Sequence, residues 1–373
     1  MLGIRSGFVA LLAAATALCT WGQPSSGQTQ PKPGTVVMIP KKLEGGSQFA
    51  LKVSPFVDMR FFVRAVNTGR AAAPAIEGFD RALAADKTVM ETLPGLASGV
   101  FESDFLTCPD AAEAKRRAAT LPENATFPGI KLVNLRKLGV ELTEALAAIE
   151  PAYLATVWPE HQKPLDDARA TLDASVIEKQ RACIDSLLAG LGLTDPATEI
   201  GVYLITAGPA PGAYTFRVGN GTACVIAINA GAADEPALHA MDLAETVLYQ
   251  STYALNTGVP SPSAAPTALR KAIKDAALPA GDCGTRELLR AVLYANAHAA
   301  VRKVLDPNHE PVADSRGLFK DCPRAWSSAR STWDRVAAGE LAPEAAAKAA
   351  VAAYVEKKPA EAPSEVTPTP AAK

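Results

Sequence analysis

Apolar residues recur every three or four positions over most of this chain, and polar residues fill the positions between them. That spacing is typical of amphipathic helices, which bury one face and expose the other. The segment 56–66 (FVDMRFFVRAV) also fits a strand, but its large apolar side chains fall at helical spacing. Helices are predicted over 56–66, 75–83, 110–120, 135–149, 165–191, 235–256, 285–305, 323–338 and 342–356.

The pattern changes near residue 198, where β-branched and aromatic residues replace the helical repeat. Three β-prone runs follow one another, at 199–207, 213–218 and 222–230. The Asn220-Gly221 pair between the last two is a preferred sequence for a two-residue hairpin turn. We therefore expect a small antiparallel sheet at about 199–230, with helices before and after it. This order predicts an α+β fold that is mainly helical.

The start of the chain has the pattern of a secretory signal peptide. Arg5 precedes the apolar run 8–18, and small residues allow a cut after Cys19 or after Gly22. The run is shorter than the roughly 20 residues that a membrane-spanning helix needs. A lipoprotein signal with lipid on Cys19 fits less well, because the bulky Leu18 precedes that cysteine. The pattern predicts export, to the periplasm or to the medium.

Composition divides the chain into five parts. The signal peptide, 1–22, is followed by a flexible lead-in at 23–50 that is rich in Gln, Ser, Pro and Gly. An N-terminal helical region is expected at 51–197 and an α+β region at 198–356. The remainder, 357–373, is expected to be a disordered tail. After the signal peptide, no segment of the sequence is long and apolar enough to span a membrane.

The charge of the chain argues against two classes of partner. The 37 Lys and Arg residues nearly balance the 39 Asp and Glu residues, so the net charge is −2. A nucleic-acid-binding or anionic-lipid-binding protein normally carries a basic surface, which this balance does not predict. Hydrophobic residues make up 48% of the chain but aromatic residues only 6%. The core must therefore be built mainly from small side chains in closely packed helices.

The cysteines suggest a small disulfide framework, because disulfides persist in exported proteins. Cleavage of the signal peptide removes Cys19 and leaves an odd number of thiols. Cys224 lies inside an apolar strand-like run, so we expect it to stay free and buried. No pair has the CxxC spacing of a redox or zinc motif. The expected bridges are Cys108–Cys183 and Cys283–Cys322.

The most informative segment is 244–256 (AETVLYQSTYALN), on the helix predicted directly after the sheet. Many zinc peptidases carry an HExxH motif in this context, in which two His side chains bind zinc and the Glu activates water. The corresponding pentapeptide here is Tyr249-Gln250-Ser251-Thr252-Tyr253. The segment resembles secreted bacterial zincin-like proteins of the gluzincin metallopeptidase type. Compared with their motif, both His positions are Tyr and the Glu position is Gln.

The resemblance extends weakly over 198–356. The segment 286–303 resembles the second helix of such proteins, where a Glu commonly supplies a third zinc ligand. Ala299 takes that place here, next to His298. The segment 324–355 resembles their tryptophan-rich closing helices. The resemblance therefore implies a zincin-like pair of helices after the sheet, followed by closing helices.

The resemblance implies a scaffold that has lost its catalytic residues and its metal. Neutral Tyr, with a pKa near ~10, is a poor zinc ligand at pH 7, and Gln cannot act as a general base. The sequence therefore predicts no catalytic residue, no metal ligand and no cofactor. We expect a non-catalytic protein that binds a peptide or an envelope component in a metal-free cleft. The expected cleft residues are Glu245, Tyr249, Gln250, Tyr253 and His298.

Three alternatives stay open at this point. The Tyr-bearing helix is also explained as an amphipathic helix whose tyrosines cover the edge of the core. The protein could instead be an active secreted hydrolase that uses residues without a known motif, or a purely structural helical protein. The remaining histidines suggest no site, because they lie far apart in the sequence. His298 is expected to be solvated and His309 to lie in a loop after a Pro turn.

Overall fold

A computed structural model describes the protein at residues 43–93, 101–127, 130–208, 212–218, 221–229, 238–257, 271–272, 275 and 283–356. The predicted signal peptide and tail lie outside these residues. Described helices are α1 Pro55–Asn67, α2 Phe79–Thr92, α3 Ala111–Thr120, α4 Leu135–Thr156, α5 Trp158–Leu172, α6 Gln180–Leu191, α7 Ala240–Thr257, α8 Thr285–Val304, α9 Val312–Ser315, α10 Pro323–Ala337 and α11 Pro343–Glu356. Described strands are β1 Gln48–Val53, β2 Ala125–Phe127, β3 Ile130–Leu132, β4 Glu199–Ile205, β5 Ala213–Val218 and β6 Gly221–Ala227.

The predicted α+β fold, mainly helical, is confirmed. Local signals explain several helix boundaries. The Asp110 carboxylate caps α3 by accepting a hydrogen bond from the backbone N–H of Glu113 at 2.8 Å. Gly192 ends α6 in the left-handed conformation, with φ 63°. Gly78, with φ 80°, precedes α2, so the helix predicted from residue 75 begins only at Phe79.

The single long helix predicted over 165–191 is wrong. Helix α5 ends at Leu172 and is followed by a π-helical turn, Asp173–Ile177, before α6 begins. The backbone N–H of Glu178 donates to the carbonyl of Asp173 at 3.1 Å, a bond with the spacing of a π-turn. Leu172 of α5, Val176 of the π-turn and Ile184 of α6 nevertheless all lie in one core.

The main sheet has four strands in the order β1-β4-β6-β5. Strands β5 and β6 pair antiparallel from Val218 opposite Gly221, as the predicted hairpin requires, although Asn220 itself lies outside the described residues. The other two pairs are parallel, so the expected antiparallel sheet is corrected to a mixed one. Its additional strand, β1, occupies the end of the predicted flexible lead-in, which is therefore wrong at 48–50.

Alternate residues of the central strands face different cores, as the two-residue repeat of a strand requires. Val202 and Leu204 of β4 point into the larger core, which α6, α7, α8, α10 and α11 cover. Tyr203 and Ile205 point to the other face, where α1 packs. A separate helical core lies among α1 to α4. The predicted boundary near residue 198 is not a packing boundary, because α6 already belongs to the larger core.

One of the two predicted disulfides is present. Cys283 and Cys322 form a bridge with a Cα–Cα distance of 5.4 Å. The predicted bridge between Cys108 and Cys183 is wrong, because Cys108 lies in the helical core and Cys183 in the larger core. Burial raises the pKa of each of these two thiols to about 11. Cys224 is a buried free thiol in β6, as predicted.

The search for membrane spans covers only the described residues. Among them, no helix combines the length and the apolar character that crossing a membrane requires.

Candidate metal centre

Helix α7 packs against β5 and β6 on one side and against α8 on another. This contact brings Glu245 of α7 against His298 of α8, with 3.3 Å between Glu245 Oε2 and His298 Nδ1. His309 enters from the turn after α8, and its Nε2 lies 2.8 Å from the same oxygen. The backbone N–H of Val312 also donates to Glu245 Oε2, at 3.3 Å. Three segments of the chain thus converge on one carboxylate.

The cluster is almost completely withdrawn from water. Glu245 is 0% exposed and His298 2% exposed, and the side chain of His309 is 7% exposed. The second carboxylate oxygen, Glu245 Oε1, is buried and has no hydrogen-bond partner among the described residues. A buried charged oxygen without a partner is costly, and buried polar groups in native proteins are nearly always satisfied. This oxygen therefore requires an explanation.

Glu245 and His309 each shift the pKa of the other. Burial acts to raise the pKa of Glu245, but hydrogen bonds and positive charge from His298 and His309 outweigh it and lower that pKa. Burial acts to lower the pKa of His309, but the hydrogen bond and charge of Glu245 outweigh it and raise that pKa. The lowered pKa favours the ionised carboxylate that a metal ligand requires, whereas the raised pKa of His309 favours a proton that a metal ion would have to displace.

The spacing of the three side chains fits a metal ion. Their candidate ligand atoms all lie within 4.8 Å of one another. Ligands bound at about 2.0–2.1 Å in a tetrahedron are roughly 3.4 Å apart. The two measured separations from Glu245 Oε2, 2.8 and 3.3 Å, are already close to that value.

The other predicted cleft residues have different surroundings. Tyr249 lies one turn after Glu245, is 8% exposed, and stacks on Tyr294 of α8 with 3.6 Å between ring centroids. Gln250 is turned toward the sheet, where its Oε1 accepts a hydrogen bond from Thr215 Oγ1 at 2.6 Å. The side chain of Tyr253 lies outside the described residues. Of the five predicted residues, the structure therefore gathers only Glu245 and His298 into one polar cluster.

An aromatic row extends from the cluster along α8. Phe319 contacts the edge of Tyr294, with 5.8 Å between ring centroids, and stacks on Trp326 at 5.4 Å. The Arg290 guanidinium lies 5.0 Å from the Phe319 ring centroid. Burial raises the pKa of Tyr294 to about 12, although Arg290 opposes this shift. The row is apolar packing around a neutral phenol and provides no further metal ligand.

The structure contradicts the predicted exposure of His298 and confirms that His309 lies in a loop. His298 was expected to be solvated, which is wrong because its helix face turns toward α7 and not toward water. His309 does lie in a loop, as predicted, but its contact with Glu245 has no sequence signal, because Pro307 and Asn308 interrupt any helical repeat there. The nearness of His298 to the zincin third-ligand position was the one available indication of this site.

A second buried carboxylate lies among the helices. Asp58 of α1 accepts a hydrogen bond from the Tyr153 hydroxyl at 2.6 Å and lies 2.7 Å from His161 Nδ1. Its other oxygen accepts from the backbone N–H of Thr206 at 2.6 Å. Both oxygens are therefore satisfied. This cluster joins α1, α4, α5 and the end of β4 through the two oxygens of Asp58.

Comparison of the chain with family models, with curated proteins and with solved structures found no match. The zincin-like relationship stays a prediction from the sequence.

Proposed function

We propose that this protein binds one divalent transition-metal ion through Glu245, His298 and His309. The observation that carries the proposal is a buried carboxylate with two imidazoles at ligand spacing from Glu245 Oε2 and with no hydrogen-bond partner for Oε1 among the described residues. An ion bound between these side chains satisfies that oxygen and replaces the two histidine contacts with coordinate bonds. The proposal departs from the sequence prediction of a metal-free cleft, which rested on the pentapeptide at 249–253, with Ala299 at the third-ligand position.

The donor set favours zinc. Two imidazole nitrogens and one carboxylate oxygen are a common zinc ligand set, and zinc binds such ligands at about 2.0–2.2 Å. Calcium takes six to eight oxygen ligands and magnesium favours carboxylates and water, so neither suits a site dominated by nitrogen. The absence of a thiolate from the cluster makes copper(I) a poor fit.

The predicted zincin-like scaffold agrees with this placement. In the resembling proteins the motif helix supplies imidazoles and the second helix supplies a carboxylate. Here the corresponding helices exchange roles, since α7 supplies Glu245 and α8 supplies His298. The proposed ligand Glu245 lies one helical turn before Tyr249. In this proposal the predicted pair of helices still binds the ion, but the ion lies about one helical turn away from the position of the zincin motif.

We infer a structural role for the ion. Val312 and Ala313 are both 2% exposed, and their segment covers the cluster. The three ligands belong to α7, α8 and the turn after α8, so one ion ties these segments together. The predicted peptide-binding role has less support, because Tyr249 and Gln250 are buried by α8 and β5 instead of facing an opening.

Metal analysis of the purified protein tests the proposal. We expect about one zinc per chain after dialysis, measured by plasma mass spectrometry. The variant His309→Gln should lose most of this zinc, because only two ligands remain. The matched control is His239→Gln, since His239 is an exposed histidine at the start of α7. A folded wild-type protein that retains no zinc, or equal zinc in both variants, contradicts the proposal.

We also propose that the mature protein is exported. The support is the sequence of the first 22 residues, together with a disulfide of the kind that persists outside the cytoplasm. N-terminal sequencing of the protein recovered from cells should find a start at residue 20 or 23. A start at Met1 contradicts this proposal and leaves the metal site unaffected.

A further inference from the structure

Tyr249 of α7 and Tyr294 of α8 form the closest aromatic contact in the described part of the chain. Their ring centroids are 3.6 Å apart, and the ring planes differ by 14°. Aromatic pairs usually prefer offset or edge-to-face arrangements, with centroids about 4.5–7 Å apart. The other aromatic contacts of the described residues, such as Phe61–Tyr214 at 6.0 Å, fall in that range. The rings of Tyr249 and Tyr294 therefore overlap almost completely, with the carbons of one ring against those of the other.

The stacked pair lies in the layer next to the Glu245 cluster, where α7 packs on α8. Glu245 lies opposite His298. One turn further along α7, Tyr249 lies opposite Tyr294, which is one turn earlier on α8, so the two helices run antiparallel here. Both tyrosines are 8% exposed. The Arg290 guanidinium, 5.8 Å from the Tyr294 ring centroid, brings a positive charge beside the stacked rings. The fold thus holds two phenol rings face to face.

We propose that Tyr249 and Tyr294 are a site of oxidative cross-linking, at which a small one-electron oxidant joins the two rings as dityrosine. This modification is separate from the metal site and does not require an ion there. Dityrosine forms when two phenoxyl radicals couple through ring carbons next to the oxygen, so it requires two phenols in contact. Among the described residues, no other aromatic contact joins two tyrosines. The new bond ties α7 to α8 one turn from the contact between Glu245 and His298.

The reaction removes two electrons and two protons from the protein. Two equivalents of the oxidant each take one electron from a phenol, and each phenolic O–H loses its proton to water. The two phenoxyl radicals then form one carbon–carbon bond, and the hydrogens on the bonded carbons move to the oxygens and restore both phenols. The product is lighter than the starting protein by two hydrogen atoms. The oxidant need not touch the buried rings, because an electron crosses short distances in a protein by tunnelling.

Photo-oxidation of the dilute purified protein tests the proposal, with ruthenium(II) tris-bipyridine, persulfate and visible light as the source of the oxidant. We expect a dityrosine link between the tryptic peptides 218–270 and 291–302, found by mass spectrometry in protein that stays monomeric on a denaturing gel. Fragment ions should place the link at Tyr249 and not at Tyr253, which shares the first peptide. Tyr249→Phe and Tyr294→Phe should each lose the link, because phenylalanine forms no phenoxyl radical. The control is Tyr203→Phe, which removes a tyrosine that is 6% exposed and should keep the wild-type yield.

Wild-type protein unfolded in urea provides a second measurement that does not depend on how the variants fold. Its yield of the 249–294 link should fall well below that of the folded protein, because unfolding separates the rings. An equal yield in folded and unfolded protein overturns the proposal. So does a folded wild type without this link under light that couples free N-acetyltyrosinamide. Both results leave the proposed zinc site in place, since chelator is present throughout.

Discussion

The helical core and the larger core each border a buried carboxylate that lies next to a histidine. The two carboxylates differ in how completely their oxygens are hydrogen-bonded. Asp58 and Glu245 are both 0% exposed. Both oxygens of Asp58 have a protein partner, whereas Glu245 has its contacts on Oε2 and none on Oε1 within the part of the chain that the structure describes. A fully satisfied buried network makes a fold more specific and more rigid. The incomplete network is the one that suits an additional ligand.

The difference follows from the supply of donors around each carboxylate. Asp58 lies where α1 meets α4, α5 and the end of β4, so a hydroxyl and a backbone N–H reach its two oxygens. Glu245 lies between two helices whose own backbone N–H groups are used internally. The contacts come from the His298 side chain of α8 and, in the segment after α8, from His309 and the Val312 N–H, and all three approach Oε2.

Removing the satisfied carboxylate should have the largest effect on stability. Asp58→Ala leaves the Tyr153 hydroxyl, His161 and the Thr206 N–H without their acceptor in a buried place. We expect the free energy of unfolding to fall by about 3–5 kcal/mol, as for other broken buried networks. Urea unfolding with chelator present measures it. Asp110→Ala, which removes an exposed helix cap, is the control and should cost about 1 kcal/mol. An equal, small loss in both variants would remove the distinction between the two clusters.

Glu245→Gln should weaken metal binding more than it weakens the fold. The amide keeps an acceptor oxygen for the Val312 N–H, but it loses the charge whose contacts with His298 and His309 lower the pKa of Glu245, so the metal-free protein should lose some stability, though less than Asp58→Ala loses. Zinc affinity should fall by roughly a hundredfold or more, because a neutral amide replaces an anionic ligand. Competition with a coloured chelator measures the affinity. Unchanged zinc binding in a folded E245Q protein would separate Glu245 from the metal.

A third carboxylate with several protein partners, Asp195, lies at the edge of the sheet. Burial acts to raise its pKa, but hydrogen bonds from Ser47, the Ala197 N–H and Arg181 outweigh it and hold that pKa at about 2. Because the folded pKa is depressed, its stabilisation is present above about pH 4, the ordinary Asp value, and is lost as the pH falls toward 2.

The variant Asp195→Asn should therefore be less stable than the wild type at pH 7, and the difference should shrink between pH 4 and pH 2. Urea unfolding of both proteins across this range tests it. A difference that stays constant with pH would show that the Asp195 charge is not what stabilises this edge.

The smallest effects should come from Cys108 and Cys183, two buried free thiols that lie in different cores. Cys108→Ser and Cys183→Ser should each change the free energy of unfolding by about 1 kcal/mol, since no disulfide is lost. Nonreducing peptide mapping should find the 283–322 bridge in the wild type and in both variants. A peptide that joins Cys108 to Cys183 would contradict the separation of the two cores.

The sequence predicted those parts of the fold that depend on local pattern. The helix expected at 323–338 is α10, Pro323–Ala337, and β5 and β6 pair antiparallel on either side of the predicted Asn-Gly turn. Strand β1 was missed because its six residues (QFALKV) show no clear strand signal and its partner, β4, lies about 150 residues away. The π-turn at Asp173–Ile177 was missed because it leaves the apolar spacing nearly continuous.

The candidate site was predictable only where it lies on helices. Glu245 and His298 were identified from the zincin-like order of elements, whereas His309 was not, because a turn residue has no periodicity that reports its neighbours. The absence of a metal was predicted from Tyr249 and its neighbours in the pentapeptide. The chemistry of Tyr and Gln argues against a metal ion at the pentapeptide itself. It does not bear on a ligand set that includes Glu245, one helical turn before Tyr249.

X-ray absorption at the zinc edge tests the central claim most directly, on protein that carries one zinc per chain. We predict nitrogen and oxygen scatterers at about 2.0–2.1 Å, with the outer-shell signal of two imidazole rings. That signal should fall to one ring in any zinc that His309→Gln retains. A sulfur scatterer at about 2.3 Å, or a shell without imidazole, would place the ion elsewhere and contradict the Glu245–His298–His309 centre.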